Sequence, residues 1–185
     1  MTKFSKIISS GSYLPDKILT NKELENMVDT SDNWITERTG IKERRVAAED
    51  ETSVDLAYKA SIDAIKKSNI DKNKIGAIFL ATCTPERKFP STAVLLQNRL
   101  NIKNAFSFDI NAACTGFVYA LDIAKKYIES GQIKYALVVG TEKITSLLDW
   151  SDRNTCVLFG DGSGAMIICA SNEPGILSST IGSDG

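Results

Sequence analysis

Histidine is missing from all 185 residues. The side chain best suited to proton transfer near neutral pH is therefore not available within them, and a complete acid–base mechanism must draw on groups from elsewhere. The same absence, beside four cysteines at 83, 114, 156 and 169 with no CxxC pair, excludes the usual zinc donor sets and offers no disulfide framework. No block of like charge occurs. With 22 Lys and Arg against 23 Asp and Glu, nothing favours nucleic acid, and any anionic ligand must meet a local basic site. No apolar run reaches membrane-spanning length, and the opening MTKFSKIISSGSYLP lacks the apolar core of a signal peptide. The cytoplasm is the expected location, with no membrane partner. No repeat, low-complexity tract or linker divides the chain, so one domain over residues 1–185 is expected.

What is present alternates between helical and strand patterns. Thr52–Ser68 places Val54, Ala57, Tyr58, Ile62 and Ile65 on one helical face, and the run Ile75–Ala81 after it reads as a buried strand. A helix over Ser91–Leu100 and a strand over Ala105–Ile110 follow. A second strong helix starts near Cys114, with Phe117, Ala120, Leu121, Ala124, Tyr127 and Ile128 on one face and Gly131 as its stop, before the strand Tyr135–Gly140. Strands this uniformly apolar, alternating with helices, predict an α/β fold: a mostly parallel central sheet with helices on its faces. Ala165–Ala170 and Ile176–Ile181, separated by Asn172-Glu173-Pro174-Gly175, read as two strands pairing antiparallel at or near an edge. Helices on both faces are not fully accounted for, so a partner or a second half is expected to cover apolar surface.

Three stretches could carry chemistry. In Phe108-Asp109-Ile110-Asn111-Ala112-Ala113-Cys114-Thr115-Gly116-Phe117 a strand turns through small residues into a helix, with the cysteine at the bend. Unpaired N–H groups at a helix start favour thiolate and can hold an oxyanion. Cys114 can equally be a small apolar core residue, a frequent fate of free cysteine. Cys169, inside an apolar strand, is expected in the core; Cys83 follows a strand and can line a cavity. In Thr30-Ser31-Asp32-Asn33-Trp34-Ile35-Thr36-Glu37-Arg38-Thr39-Gly40, a short helix capped by Ser31 or Asp32 and stopped by Gly40, Trp34 and Arg38 share a face. There an indole can stack on a base and a guanidinium can meet phosphate, or the indole can simply anchor the helix to the core. Phe159-Gly160-Asp161-Gly162-Ser163-Gly164-Ala165 lacks the lysine and helix start of a phosphate loop and reads as a tight turn. Arg153 sits in a polar loop with no local feature beyond solvation.

Taken in order, Tyr13-Leu14-Pro15, Asp29-Thr30-Ser31-Asp32, Trp34, Arg38-Thr39-Gly40-Ile41, Phe89-Pro90-Ser91, Ala112-Ala113-Cys114, Gly116-Phe117, Tyr135-Ala136-Leu137-Val138-Val139-Gly140 and Phe159-Gly160-Asp161-Gly162 resemble the beta-ketoacyl-[acyl-carrier-protein] synthase III family of thiolase-fold condensing enzymes, over essentially the whole chain. The resemblance implies the first step of type II fatty acid synthesis. An acyl group passes from acetyl-CoA, or a similar short primer, to a cysteine and is then condensed with malonyl-acyl-carrier protein, releasing carbon dioxide. Coenzyme A thioester is the substrate and no cofactor is implied. By the same resemblance Cys114 is the nucleophile, Trp34 and Arg153 sandwich adenine, Arg38 serves the nucleotide and its phosphates, Thr30 contacts the base, and Phe89 closes an acyl pocket across a homodimer interface.

The departure is equally definite. The family's His, its Asn and the glycine loop completing its oxyanion hole come from a second half that repeats the first, and none is matched in this sequence. The chain is therefore expected to be the N-terminal half, truncated, proteolysed or awaiting a complementary subunit. Loss of one oxyanion donor alone costs about a hundredfold to a thousandfold in turnover. Hydroxymethylglutaryl-CoA synthases and polyketide-type ketosynthases also carry a Cys at this bend, and a non-catalytic acyl-CoA-binding module is the alternative outside enzymes. The pair Trp34 and Arg38 favours the initiating enzyme.

Overall fold

The apolar run Ala77–Ala81 forms a strand buried along its full length, as one covered on both faces must be. The structure is a computed structural model that describes residues 4–185; the first three residues of the opening stretch lie outside them. Along the chain the large sheet comprises β1 (Phe4–Tyr13), β4 (Ala77–Ala81), β5 (Phe106–Ile110), β6 (Tyr135–Lys143) and β7 (Asp161–Ser171). Their spatial order is β1-β7-β6-β4-β5. β4 pairs parallel with both β5 and β6, while β7 runs antiparallel between β6 and β1. Side chains alternate across this sheet. Ile78, Leu80, Leu137 and Val139 pack against α3 (Ser53–Ser68) and α4 (Thr92–Leu100), and Ala77, Phe79, Ala136 and Val138 pack against α5 (Gly116–Glu129). The fold is α/β with helices on both faces, as expected.

Two expectations fail. Ile176–Ile181 forms no strand: the antiparallel partners of β7 are β6 and β1, and the sequence pattern does not reveal β1. After Ile176 donates its N–H to the Ser5 carbonyl at 2.8 Å, the segment bonds to α5 instead of to a ladder. Ser179 donates to the Asp122 carboxylate, and the Gly182 carbonyl accepts from the Tyr119 hydroxyl at 2.6 Å. Serines interrupt the apolar pattern of β1, and its fit depends on Gly11, where an added Cβ would lie 2.3 Å from the Ala64 nitrogen on α3. The run Asp161–Ala165, read as a turn, is the first part of β7, paired residue for residue with Lys143–Val139. Its glycines leave strand pairing intact.

A smaller unit stands beside the sheet. β2 (Lys17–Thr20) and β3 (Glu43–Val46) pair antiparallel, with α1 (Asn21–Leu24) and α2 (Asp32–Thr39) between them in the chain. Leu19, Leu24 and Ile35 share a core with Cys156 and Val157, against which Trp34 and Trp150 pack. The buried Arg44 guanidinium ties these parts together by donating to the carbonyls of Leu19 and Val157 and to Asn21 Oδ1. Among the described residues no helix is long and apolar enough to cross a membrane. None of their His, Cys, Asp and Glu side chains form a group of three placed for a metal ion.

Candidate active site

Cys114 is exposed, which removes the reading of it as a core residue. It lies in a 3-10 turn, Ala113–Thr115, and α5 begins two residues after it, at Gly116. The bend is tight: Ala113 has φ 45, a conformation that residues with a Cβ seldom adopt and that clusters at functional turns. Gly116 allows the following helix to seat on β4, since a Cβ there would lie 3.1 Å from the Ala81 side chain. No side chain caps the α5 N-terminus, so its partial positive charge is left for a ligand. The turn follows β5, at the end of the sheet where parallel strands present their carboxyl termini, the usual place for a ligand in an α/β fold.

The second constellation forms across the chain. Ser31 caps α2 by accepting the Trp34 N–H at 3.1 Å, and Gly40, with φ 73, ends it. Both guanidiniums then converge on the indole: Arg38 and Arg153 each lie 4.5 Å from the Trp34 ring centroid. Arg153 is not merely solvated, because it also donates to the Asp29 carbonyl at 2.8 Å. Next to it, Thr30 has its hydroxyl oxygen buried without a hydrogen-bond partner, a group that a polar ligand atom can satisfy. Trp34 packs against the core of the smaller unit, which fits the reading of an indole that anchors its helix. The expected sandwich is not preformed, however. A planar base between Trp34 and Arg153 needs about 7 Å, twice a van der Waals contact distance, so Arg153 must swing outward to admit one.

Phe89 stands 83% exposed in the loop between β4 and α4 and so fills no cavity of its own chain. The loop is tied down behind it: the Thr92 and Ala93 N–H groups donate to the two Asp109 carboxylate oxygens at 2.8 and 2.7 Å. Phe106, Phe108 and Val118 are exposed as well, and β5, which carries the two phenylalanines, is an open sheet edge.

Sequence reasoning missed three carboxylates: Asp109, Asp161 and Glu142. Asp161, 4% exposed, accepts from the N–H groups of Ala47 and Thr145 at 2.7 and 2.9 Å and from the Thr145 hydroxyl at 2.6 Å, fixing both ends of the segment that carries Trp150 and Arg153. Glu142 accepts from the Cys83 N–H at 2.9 Å and the Thr84 hydroxyl at 2.7 Å. An acidic residue at the end of an apolar strand was the available signal. The remaining cysteines divide as follows: Cys156 is in the core of the small unit, while Cys83 and Cys169 are only partly buried, so Cys169 is less enclosed than expected.

Comparison with known proteins finds relatives along almost the whole chain. The sequence model of the family described as 3-oxoacyl-[acyl-carrier-protein (ACP)] synthase III matches residues 108–185. A relative from Alkalilimnicola ehrlichii, named beta-ketoacyl-[acyl-carrier-protein] synthase III, is 51% identical over 183 residues, covering 98% of this chain and 57% of that protein. The crystal structure of the 3-oxoacyl-[acyl-carrier-protein] synthase III of Aquifex aeolicus superposes with a TM-score of 0.89 at 53% identity, covering 91% of this chain and 55% of the other. The synthase III structure from Thermus thermophilus gives 0.87 at 45% identity, with 91% and 52% covered. The chain spans about half the length of the relatives it matches. Its sequence and its thiolase-like fold agree, and the chain belongs to the 3-oxoacyl-[acyl-carrier-protein] synthase III family.

Proposed function

We propose that this chain supplies the acyl-accepting half of an initiating condensing enzyme of type II fatty acid synthesis. The observation that carries the proposal is the exposed Cys114 at a strained bend before an uncapped helix start, in a chain that also brings two guanidiniums to within 4.5 Å of one indole centroid. Trp34, Arg153, Arg38 and Thr30 receive the nucleotide of acetyl-CoA or another short acyl-CoA. The Cys114 sulfur attacks the thioester carbonyl, negative charge collects on its oxygen, and the bond to the coenzyme A sulfur breaks as the acyl group passes to the enzyme. Positive charge at the α5 N-terminus opposes the cost of that oxyanion. Malonyl-acyl-carrier protein then loses carbon dioxide, and its carbanion attacks the acyl-cysteine, restoring the free sulfur. Proton handling in that second step falls to groups outside the 185 residues, because none of them is histidine.

The exposed Phe89 and the open apolar edge of β5 fit a homodimer in which each subunit closes its partner's acyl pocket. Residues 1–185 form one thiolase-like unit of a cytoplasmic enzyme. The test is incubation with acetyl-CoA followed by peptide mass spectrometry. Acetylation is expected at Cys114 and lost in Cys114→Ser. Label confined to the other cysteines supports instead a module that binds acyl-CoA without chemistry. Condensation of malonyl-acyl-carrier protein by the purified 185-residue chain alone contradicts the division of labour described above.

A further inference from the structure

A second thiol lies at the same end of the sheet as Cys114. Thr82 donates its N–H to the Ile110 carbonyl at 3.2 Å, so the loop that leaves β4 starts beside the strand leading to the nucleophile. Cys83, the next residue, is only partly buried. Two thiols at the same end of the sheet create a chemical problem for acyl transfer. An ionised Cys83 is a competing nucleophile: its thiolate can take the acyl group from a thioester, with the other sulfur leaving as thiolate, and so divert it from Cys114.

We propose that Glu142, at the end of β6, is a positioning residue that withholds Cys83 from this exchange and leaves Cys114 as the acyl acceptor. The inference rests on the acyltransferase reading above. Its geometry is local and complete: one carboxylate oxygen accepts both the Cys83 N–H at 2.9 Å and the Cys83 thiol at 3.3 Å. The other accepts the Thr84 hydroxyl at 2.7 Å and that of Thr82 at 3.5 Å. The thiol donates in this arrangement, so the bond exists only while Cys83 keeps its proton. Glu142 forms no ion pair among the described residues, leaving its charge to act on the sulfur it faces. Burial, and after it the bond and charge of Glu142, push the Cys83 thiol up, with Cys114 adding in the same direction. Other charges are engaged elsewhere. Glu86 accepts from the Val54 N–H, and the Lys143 ammonium donates to the carbonyls of Ala48, Glu49 and Glu51.

The test compares alkylation rates at Cys83 and Cys114 by iodoacetamide and peptide mass spectrometry, as a function of pH, in the unmodified chain, Glu142→Gln and Glu142→Asp. Gln keeps a carbonyl for the Cys83 N–H but removes the charge; Asp keeps the charge. In Glu142→Gln the Cys83 rate near neutral pH is expected to rise about tenfold, with the midpoint of its pH profile moved down and the Cys114 rate unchanged within about twofold. Glu142→Asp is expected to keep Cys83 slow. Equal Cys83 rates in the unmodified chain and Glu142→Gln overturn the proposal. So does a parallel rise at both cysteines, which signals an opened loop, or a Glu142→Asp chain that behaves like Glu142→Gln. Acetyl transfer from acetyl-CoA, measured on the same samples, tests the acyltransferase reading separately: its failure leaves the alkylation comparison intact.

Discussion

Replacing Asp161 by Ala removes one carboxylate and strands three donors. The N–H groups of Ala47 and Thr145 belong to buried residues and make no other hydrogen bond among the described residues, whereas the Thr145 hydroxyl can rotate. A buried unsatisfied N–H costs about 1–3 kcal/mol, so two of them set the expected loss at about 2–6 kcal/mol. That is a large share of the roughly 5–15 kcal/mol that stabilises a domain. Asp161→Asn separates the contributions. Its carbonyl can serve the Ala47 N–H and the Thr145 hydroxyl, which share one carboxylate oxygen, but its amide then meets the Thr145 N–H donor to donor. One donor is orphaned rather than two, and the loss falls to about 1–3 kcal/mol. Urea unfolding followed by tryptophan fluorescence reads the effect directly, because both indoles pack in the unit that Asp161 braces. The slope of the transition should not change, only its midpoint. An Asp161→Ala chain within about 0.5 kcal/mol of the parent, or less destabilised than Asp161→Asn, refutes the account of a carboxylate clip.

Three further outcomes are expected. Gly11→Ala drives a Cβ into the α3 backbone and should cost about 1–3 kcal/mol in thermal or urea unfolding, while Gly182→Ala, which meets nothing within 4 Å, should be neutral. Trp34→Ala removes the stacking surface and should weaken acyl-CoA binding about 5- to 150-fold by calorimetry, the equivalent of about 1–3 kcal/mol for one base; unchanged affinity contradicts the nucleotide site. The bond from Lys126, then that from Ser179, holds the Asp122 carboxyl below its ordinary value of 3.8. A depressed carboxyl contributes its stability in full above the unfolded value and loses it as pH falls through the folded one. Asp122→Asn should therefore be less stable than the parent at neutral pH, with the gap narrowing below about pH 4; a gap that stays constant into acid shows that the ion pair is not its source.

Local chemistry made much of this protein legible. A run of apolar residues with no polar interruption specifies a buried strand wherever it is placed, and an i, i+3, i+4 face specifies the helix that covers it, so β4, β6, α3 and α5 could be read directly. Ser31 and Gly40 bound α2 through their own bonds and dihedral. The bend at Cys114 was visible for the same reason: small residues between a strand pattern and a helix pattern leave room for a reactive side chain. Interactions between distant segments were not visible. Nothing near Arg153 indicates that it meets Trp34, and nothing near Glu142 or Asp161 distinguishes a carboxylate that gathers buried donors from one in water. Ile176–Ile181 has strand composition, yet bonds to α5 side chains, while the serine-interrupted β1 is held in the sheet by Gly11 and its pairing with β7. Sequence alone set the order and type of the elements and the place of the cysteine at the bend, because these follow from dihedrals and periodicity within a few residues. Tertiary structure decided which charges, thiols and rings face one another, because those encounters depend on register and packing between segments that only the folded chain brings together.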